Sequence, residues 1–338
     1  MIKKEYAMKF FRKHQLEILM ITPLFLYILG FTFLPVISNI KNSFVDQKYG
    51  RKYSILTTQI NDIKYDMENA KFDEERQEYL SELKDAEKEL KKLKENGSGY
   101  SLSNYKTLLN DKSFRKGIFN TLAITIIGLM VQLTIAMGIA LFLTQKFSGK
   151  GIFCTIVLTP LGIPTIVAAT IMTYIFDTQG YLNEILYRLG ILGNITIDWA
   201  GGGFLSIFMI VFADTWKVLP LLVLLFLAGL ESIPETVHEA CQIEGAKPIY
   251  KFFTVILPLL KPHITIALIL RAIDAFRIFE LPLILTGAAT VPVISTFTYA
   301  EYARQNYYLS AASATILTAI IMFFVFTYLF ITERENEK

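Results

Sequence analysis

The chain has 338 residues, 53% of them hydrophobic and only 19% charged, whereas an average soluble domain carries about 25% charged residues. A formal net charge of +3 excludes the strongly basic surface of a nucleic-acid binder. The charges are clustered and leave long uncharged runs, so the composition points to lipid rather than water as the solvent.

A bilayer core of about 30 Å takes roughly 20 apolar helical residues. The first such run, 18–37, follows a tail (1–17) carrying Lys3, Lys4, Lys9, Arg12, Lys13 and His14. It is long and no small-residue cleavage motif follows it, so it is expected to stay as an anchor. Segment 41–116 is charged. Within it Asp73 caps an expected helix through Glu74, Glu75, Tyr79, Leu83, Ala86, Leu90 and Leu93, with Gly97 placed to end it. Those apolar positions alternate four and three apart, and Ile63 and Met67 offer a partner stripe on a preceding helix. A helical hairpin is expected, either simply solvated or serving as a docking surface for an external partner. Five more apolar runs follow at 118–143, 152–176, 204–230, 264–285 and 312–331, before a short tail at 332–338. The fifth of the six spans is the weakest, because Arg271, Asp274 and Arg277 interrupt it.

None of the runs shows the period-two alternation of barrel strands, so an all-α membrane bundle is predicted. On one side fall the basic tail, Lys146, Lys150, Lys247, Lys251, Lys261, Arg334 and Lys338. The opposite short loops hold only Arg188 and Arg304, so both termini are expected to be cytoplasmic. Segment 41–116 is then extracytoplasmic despite its lysines, since long loops translocate largely regardless of charge. Cys154 and Cys241 have no Cys or His at metal-ligand spacing and are expected to be free thiols.

The segment 231–262 carries the functional signal. It contains Glu239-Ala240-Cys241, Gly245-Ala246 and Ile256-Leu257-Pro258. Pro234 is suited to opening a short helix, Gly245 to a sharp bend, and Pro258 and Pro262 to separating the loop from span five. This pattern resembles the EAA loop of ABC-importer permeases, with Cys241 in place of the usual second Ala. The competing reading is an amphipathic interfacial helix. Further matches are Pro23, Pro35, Ser43-Phe44, Asn104-Tyr105, Asn120-Thr121, Gly149-Lys150, Pro160, Pro164, Pro220 and Leu227-Ala-Gly229-Leu230. The run from Arg271 to Glu280 resembles trehalose- and maltose-transporting members. Two departures are Cys154, where an Arg is frequent, and Gly287-Ala-Ala, where Gly-Gly-Gly-Pro is usual. The resemblance covers nearly the whole chain except roughly 47–98.

It implies a six-helix type I importer permease fold with a helical extracytoplasmic insertion, in a bacterial inner membrane. It also implies three partners: a second homologous permease subunit, a cytoplasmic ATPase dimer and an extracytoplasmic sugar-binding protein. The coupling residues would be Glu239, Ala240, Gly245, Ala246, Leu257 and Pro258, seated in a cleft of the ATPase. ATP and magnesium would sit on that partner, because no Gly-x-x-x-x-Gly-Lys-Ser/Thr motif occurs here. No catalytic residue, metal site or cofactor is expected in this chain.

Charges inside spans cost at least a few kcal/mol unless they face protein, water or a partner charge. Asp214 and Lys217 stand one turn apart, and Arg271, Asp274 and Arg277, at steps of three, are expected on one face. The resemblance places them on the translocation path. There they either hydrogen-bond sugar hydroxyls, with Trp216 or Phe276 stacking, or pair with one another or with the second permease. Two other classes compete. An ion-coupled secondary carrier also keeps ionisable groups at mid-membrane, but has no use for an EAA loop. An intramembrane enzyme lacks its residues, since His14, His238 and His263 all fall outside the membrane core.

Overall fold

The computed structural model describes residues 15–70, 72–95, 99–193 and 196–336. The basic tail, His14, Gly97 and Lys338 lie outside them. The named elements are all helical, and the chain divides into two compact units. One is the chain up to Thr107 together with Arg304–Thr315; the other is Leu108–Ala303 with the chain from Ile316 onward.

In the first unit, α1 (Gln15–Ile28) and α2 (Leu34–Ser43) join through a π turn at Leu29–Phe33. Pro35 explains the widening: it has no N–H to give, and the Leu34 N–H reaches back to the Leu29 carbonyl instead. Leu19–Ser43 thus forms one apolar membrane-length helix, uncovered along its apolar window. Asp46 then caps α3 (Gln47–Asn69), accepting the N–H groups of Lys48 and Tyr49 at 2.9 and 3.2 Å. The chain returns along α4 (Asp73–Glu95), antiparallel to α3, with Lys52 beside Glu89 and Lys64 beside Glu87 at 3.9 and 3.7 Å. The anticipated stripe of Tyr79, Leu83, Ala86, Leu90 and Leu93 is half-buried, as are Ile63 and Met67. The deepest side chains of the hairpin are nevertheless Leu56 and Ile60, which complete the α3 stripe two turns nearer its start.

The neck of the hairpin is stitched by short bonds. Asp46 N–H donates to the Gly99 carbonyl at 2.7 Å and Ser101 N–H to that of Phe44 at 2.6 Å. Asn104, at the start of α5 (Ser103–Asn110), donates to the carbonyls of Ser43 and Val45 at 3.0 and 2.7 Å. The residues 304–315 of this unit also hold the neck. Gln47 donates to the Asn306 side-chain oxygen at 2.8 Å and accepts the Leu309 N–H at 3.2 Å, while the Tyr308 hydroxyl donates to the Gly50 carbonyl at 3.3 Å.

The second unit is built on α6 (Lys112–Leu143). This helix starts six residues before its apolar run because Asp111 caps it, accepting the Phe114 N–H at 2.7 Å. The expected third span, 152–176, is not one straight helix. It is α7 (Lys150–Leu158), a 3₁₀ turn at Thr159–Gly162, and α8 (Thr165–Phe176), with a 106° bend between Lys150–Gly162 and Thr165–Arg188. Pro164 forces Ile163 into an extended conformation (φ −88°, ψ 128°), which the helix cannot pass through. After α9 (Tyr181–Arg188), α10 (Gly203–Glu231) packs along α6 and carries Pro220 in its interior.

Beyond the loop described below, α14 (Lys261–Phe276) packs on both α6 and α10. The expected fifth span, 264–285, is also interrupted: α14 stops at Phe276, and α15 (Glu280–Thr290) starts after Phe279 at φ −135°, ψ −59°. The sequence reading did not anticipate α16 (Ile294–Ala303), which packs on α6. The chain closes with α17 (Tyr307–Asn336). Four helices are long and apolar enough to cross a membrane, and two bent pairs raise that to as many as six among the described residues. The core of this unit is two apolar clusters, one around Phe176, Ile210 and Leu281 and the other around Ala136, Leu222, Phe226 and Leu260.

Candidate functional site

Between α10 and α14 the chain builds a compact helical elbow. Pro234, in an extended conformation, opens α11 (Glu235–Ile243). Its end is closed by two bonds, Ala246 N–H to the Cys241 carbonyl and Gly245 N–H to the Gln242 carbonyl, both 3.0 Å. That pair is a Schellman closure, which requires a left-handed residue between them. Gly245 supplies it at φ +65°, and since a Cβ there meets nothing within 4 Å, the demand for glycine is conformational rather than spatial. Lys247 is extended, as a residue before proline must be, and Pro248 starts α12 (Pro248–Lys251). A π turn at Phe252–Ile256 and α13 (Leu257–Leu259), with Pro258 inside it, lead to a 70° bend between Pro248–Leu259 and Lys261–Thr290.

The elbow has two faces. Ile233, Cys241, Ile256 and Leu260 are buried against the bundle. Glu239, Ala240 and Pro258 are exposed with Ile243 (88%), Ile249 (75%), Tyr250 (62%) and Phe253 (60%), while Ala246 and Leu257 are half-buried. A run of exposed large apolar side chains on so short a segment marks an interaction surface. Cys241 takes the place of a small residue because its side chain points inward, so the thiol serves as a small apolar filler. Gly229 fixes the base: a Cβ there would lie 2.8 Å from His263 Cγ and 2.9 Å from Leu260 Cδ2, so α10 and α14 approach this closely only without a side chain.

The intramembrane charges separate into three arrangements rather than one face. Asp214 on α10 accepts from the Arg271 guanidinium on α14 and, at 2.8 Å, from the Gln132 amide on α6. Arg271 Nε donates to Gln132 Oε1 at 2.7 Å, closing a triangle. Gln132 is fully buried, and the Arg271 and Asp214 side chains are 3% and 9% exposed. Lys217 points elsewhere, with its ammonium donating to the carbonyls of Pro160 (2.9 Å) and Leu161 (3.3 Å) where the third span breaks. Asp274 and Arg277 pair with each other at 2.8 Å, with side chains about 60% exposed.

The expectation that Arg271, Asp274 and Arg277 share a face is therefore corrected. Three residues turn a helix by about 300°, so each step drifts and six residues carry the side chain well around. Arg277 also lies past the last turn of α14. Phe276 is buried and packs on Phe324 with ring centroids 5.4 Å apart, so its ring offers no stacking face in this conformation. Trp216 is half-buried against the first apolar cluster. The sequence reading missed Gln132; the available signal was an amide in the middle of an apolar run whose other amide, Asn120, stands near its start.

Comparison with known proteins agrees with this architecture. The profile of the binding-protein-dependent transport system inner membrane component family matches residues 132–333. The trehalose/maltose transport system permease protein MalF of Thermococcus litoralis is 34% identical over 232 residues, 68% of this chain and 78% of that protein. The trehalose transport system permease protein SugA of Mycobacterium tuberculosis is 33% identical over 189 residues, covering 56% of this chain and 59% of SugA. In structure, a chain of a bacterial alginate ABC transporter, crystallised with an alginate pentasaccharide-bound periplasmic protein, superposes with a TM-score of 0.75. That match spans 98% of each chain at 18% identity, a likeness of fold. With the family profile covering more than half of its length, this multi-pass membrane chain belongs to the inner membrane components of binding-protein-dependent transport systems.

Proposed function

We propose that the chain is a non-catalytic permease subunit of an ATP-driven importer of a di- or oligosaccharide. In this reading it forms half of a translocation path with a second homologous permease. It receives sugar from an extracytoplasmic binding protein, and ATP and magnesium are bound by a cytoplasmic ATPase dimer. The carrying observation is the elbow between α10 and α14, whose exposed Glu239, Ala240, Ile243, Ile249, Tyr250 and Phe253 suit insertion into a cleft. Its rigid Schellman end at Gly245-Ala246 and the turn through Leu257 and Pro258 suit transmission of a push into α14. Relatives named for trehalose and maltose transport support a disaccharide. The termini are cytoplasmic and the hairpin extracytoplasmic on this reading, following the short-loop charge bias. Asp274 and Arg277, exposed at the end of α14, are the charged groups best placed to meet sugar, with Trp216 beside the path. Asp214, Arg271 and Lys217 hold the bundle around it.

The test is sugar-stimulated ATP hydrolysis by the purified complex carrying Gly245→Val. A β-branched residue is strained at φ +65°, so stimulation is lost while the subunit stays in the membrane. Wild-type stimulation overturns the coupling assignment. Uptake driven by an ion gradient in the absence of any ATPase would favour the secondary-carrier reading instead.

A further inference from the structure

The hairpin of α3 and α4 is charge-polarised along its length. Its root half, residues 47–59 and 88–95, carries seven Lys and Arg against two Glu. The outer half, 60–87, carries ten Asp and Glu against four Lys and Arg. The pairing of the helices makes this a spatial division, because Lys52 meets Glu89 and Lys94 lies over the Tyr53 ring at 5.7 Å. The root cations are exposed. Lys48, Arg51 and Lys52, with Ile55 and Gln59, recur at helical spacing along one face of α3 and line a groove of about 400 Å³ closed on one side by Glu89.

The root is also the part of the hairpin fixed beside the membrane. α3 begins four residues after the apolar helix Leu19–Ser43 ends. It is tied through Gln47 and Gly50 to Asn306, Tyr308 and Leu309, where the last membrane-length helix starts. Two span ends thus hold one basic face next to the ends of two membrane-length helices. Exposed apolar side chains accompany it, namely Ile55 (51%), Tyr100 (59%) and Leu102 (57%). Basic groups beside aromatic and aliphatic side chains at a span end are the composition that seats on an anionic lipid interface.

We infer that the basic face formed by Lys48, Arg51 and Lys52 is a docking site for the phosphate of anionic phospholipid headgroups. Headgroup binding at the root fixes the hairpin on the bilayer and leaves its acidic half projecting. The charge division explains why a hairpin of nearly balanced total charge keeps its cations at one end, which random solvation does not require. Electrostatic attraction to an anionic surface is worth about fivefold in affinity per Lys or Arg, so three cations, one of them offset by Glu89, give on the order of twenty-fivefold.

The experiment uses the whole transporter in nanodiscs of equal parts phosphatidylglycerol and phosphatidylcholine, with a photo-crosslinking benzoylphenylalanine replacing Ile55. A control carries it at Tyr65, exposed in the acidic half. Lipid adducts at position 55 are expected to be several-fold enriched in phosphatidylglycerol, and no enrichment is expected at position 65. The triple change Lys48→Gln, Arg51→Gln and Lys52→Gln abolishes the enrichment while leaving the yield of the complex unchanged, because these side chains are exposed. High salt reduces it in the wild type. Adducts that mirror the lipid mixture overturn the proposal, as does enrichment that survives the triple change. So do adducts to a protein partner in place of lipid, since the root is then a protein-docking surface.

Discussion

Replacing Asp214 by Leu strands the buried Arg271 guanidinium with Gln132 as its one remaining side-chain partner among the described residues. Breaking a buried ion pair from one side typically costs about 3–5 kcal/mol, a factor of roughly 10²–10³ or more in the folded population. The burial of this pair, 3% and 9% exposed, puts it at the upper end of that range. Arg271→Leu is expected to cost a similar amount, because it leaves the Asp214 carboxylate buried with Gln132 alone. The double variant Asp214→Leu with Arg271→Leu removes both charges and is expected to recover most of the loss. The remainder is the unsatisfied Gln132 amide, about 1–3 kcal/mol, which Gln132→Leu returns. Thermal unfolding and assembly yield of the purified complex across this series measure the coupling, with an interaction energy near 3 kcal/mol expected between positions 214 and 271. Additive losses, or an Asp214→Leu complex as stable as wild type, refute the reasoning that these groups neutralise each other in the bundle.

Asp274→Asn is expected to assemble normally, since its side chain is exposed, and to impair uptake by about 1.5–3 kcal/mol in transport efficiency for sugars that it hydrogen-bonds. Unchanged uptake across a disaccharide panel removes it from the path. Gly229→Val forces a methyl-bearing carbon into His263 and Leu260, so overpacking of about 1–3 kcal/mol should lower complex yield, and normal yield would show that α10 and α14 part without penalty. The Ser103 hydroxyl, donating to Asp46 at 2.7 Å, is the main cause that holds this carboxyl below its ordinary range. A depressed carboxyl stabilises the hairpin neck above its unfolded value of about 4 and loses that contribution as pH falls through the lowered one. Exchange of the Lys48 and Tyr49 amides should therefore accelerate only in acid, and at a less acidic pH in Ser103→Ala. An identical profile in both proteins contradicts the assignment.

The local chemistry of the elbow was legible without coordinates. Pro234 and Gly245 act through backbone rules that hold for any neighbours, and the turn they encode appears where those residues stand. The hairpin stripe was equally readable, because an amphipathic period is a property of one helix alone. Apolar length identified membrane helices for the same reason. It did not locate the 106° bend, since hydropathy averages over Pro164 and registers no change of direction, whereas Pro258 and Pro262 had set the loop apart from span five where the 70° bend falls.

The partners of the charged groups were decided by the tertiary structure alone. Asp214, Arg271 and Gln132 are separated by 57 to 139 residues in sequence, and no periodicity within one helix shows that three helices meet at one point. Spacing by threes suggested a shared face for Arg271, Asp274 and Arg277. Packing instead buried the first and left the other two at a helix end. A buried charge goes where a partner on another element awaits it, because desolvation penalises every other position. The sequence states that the charge is present, and only the assembled bundle states what neutralises it.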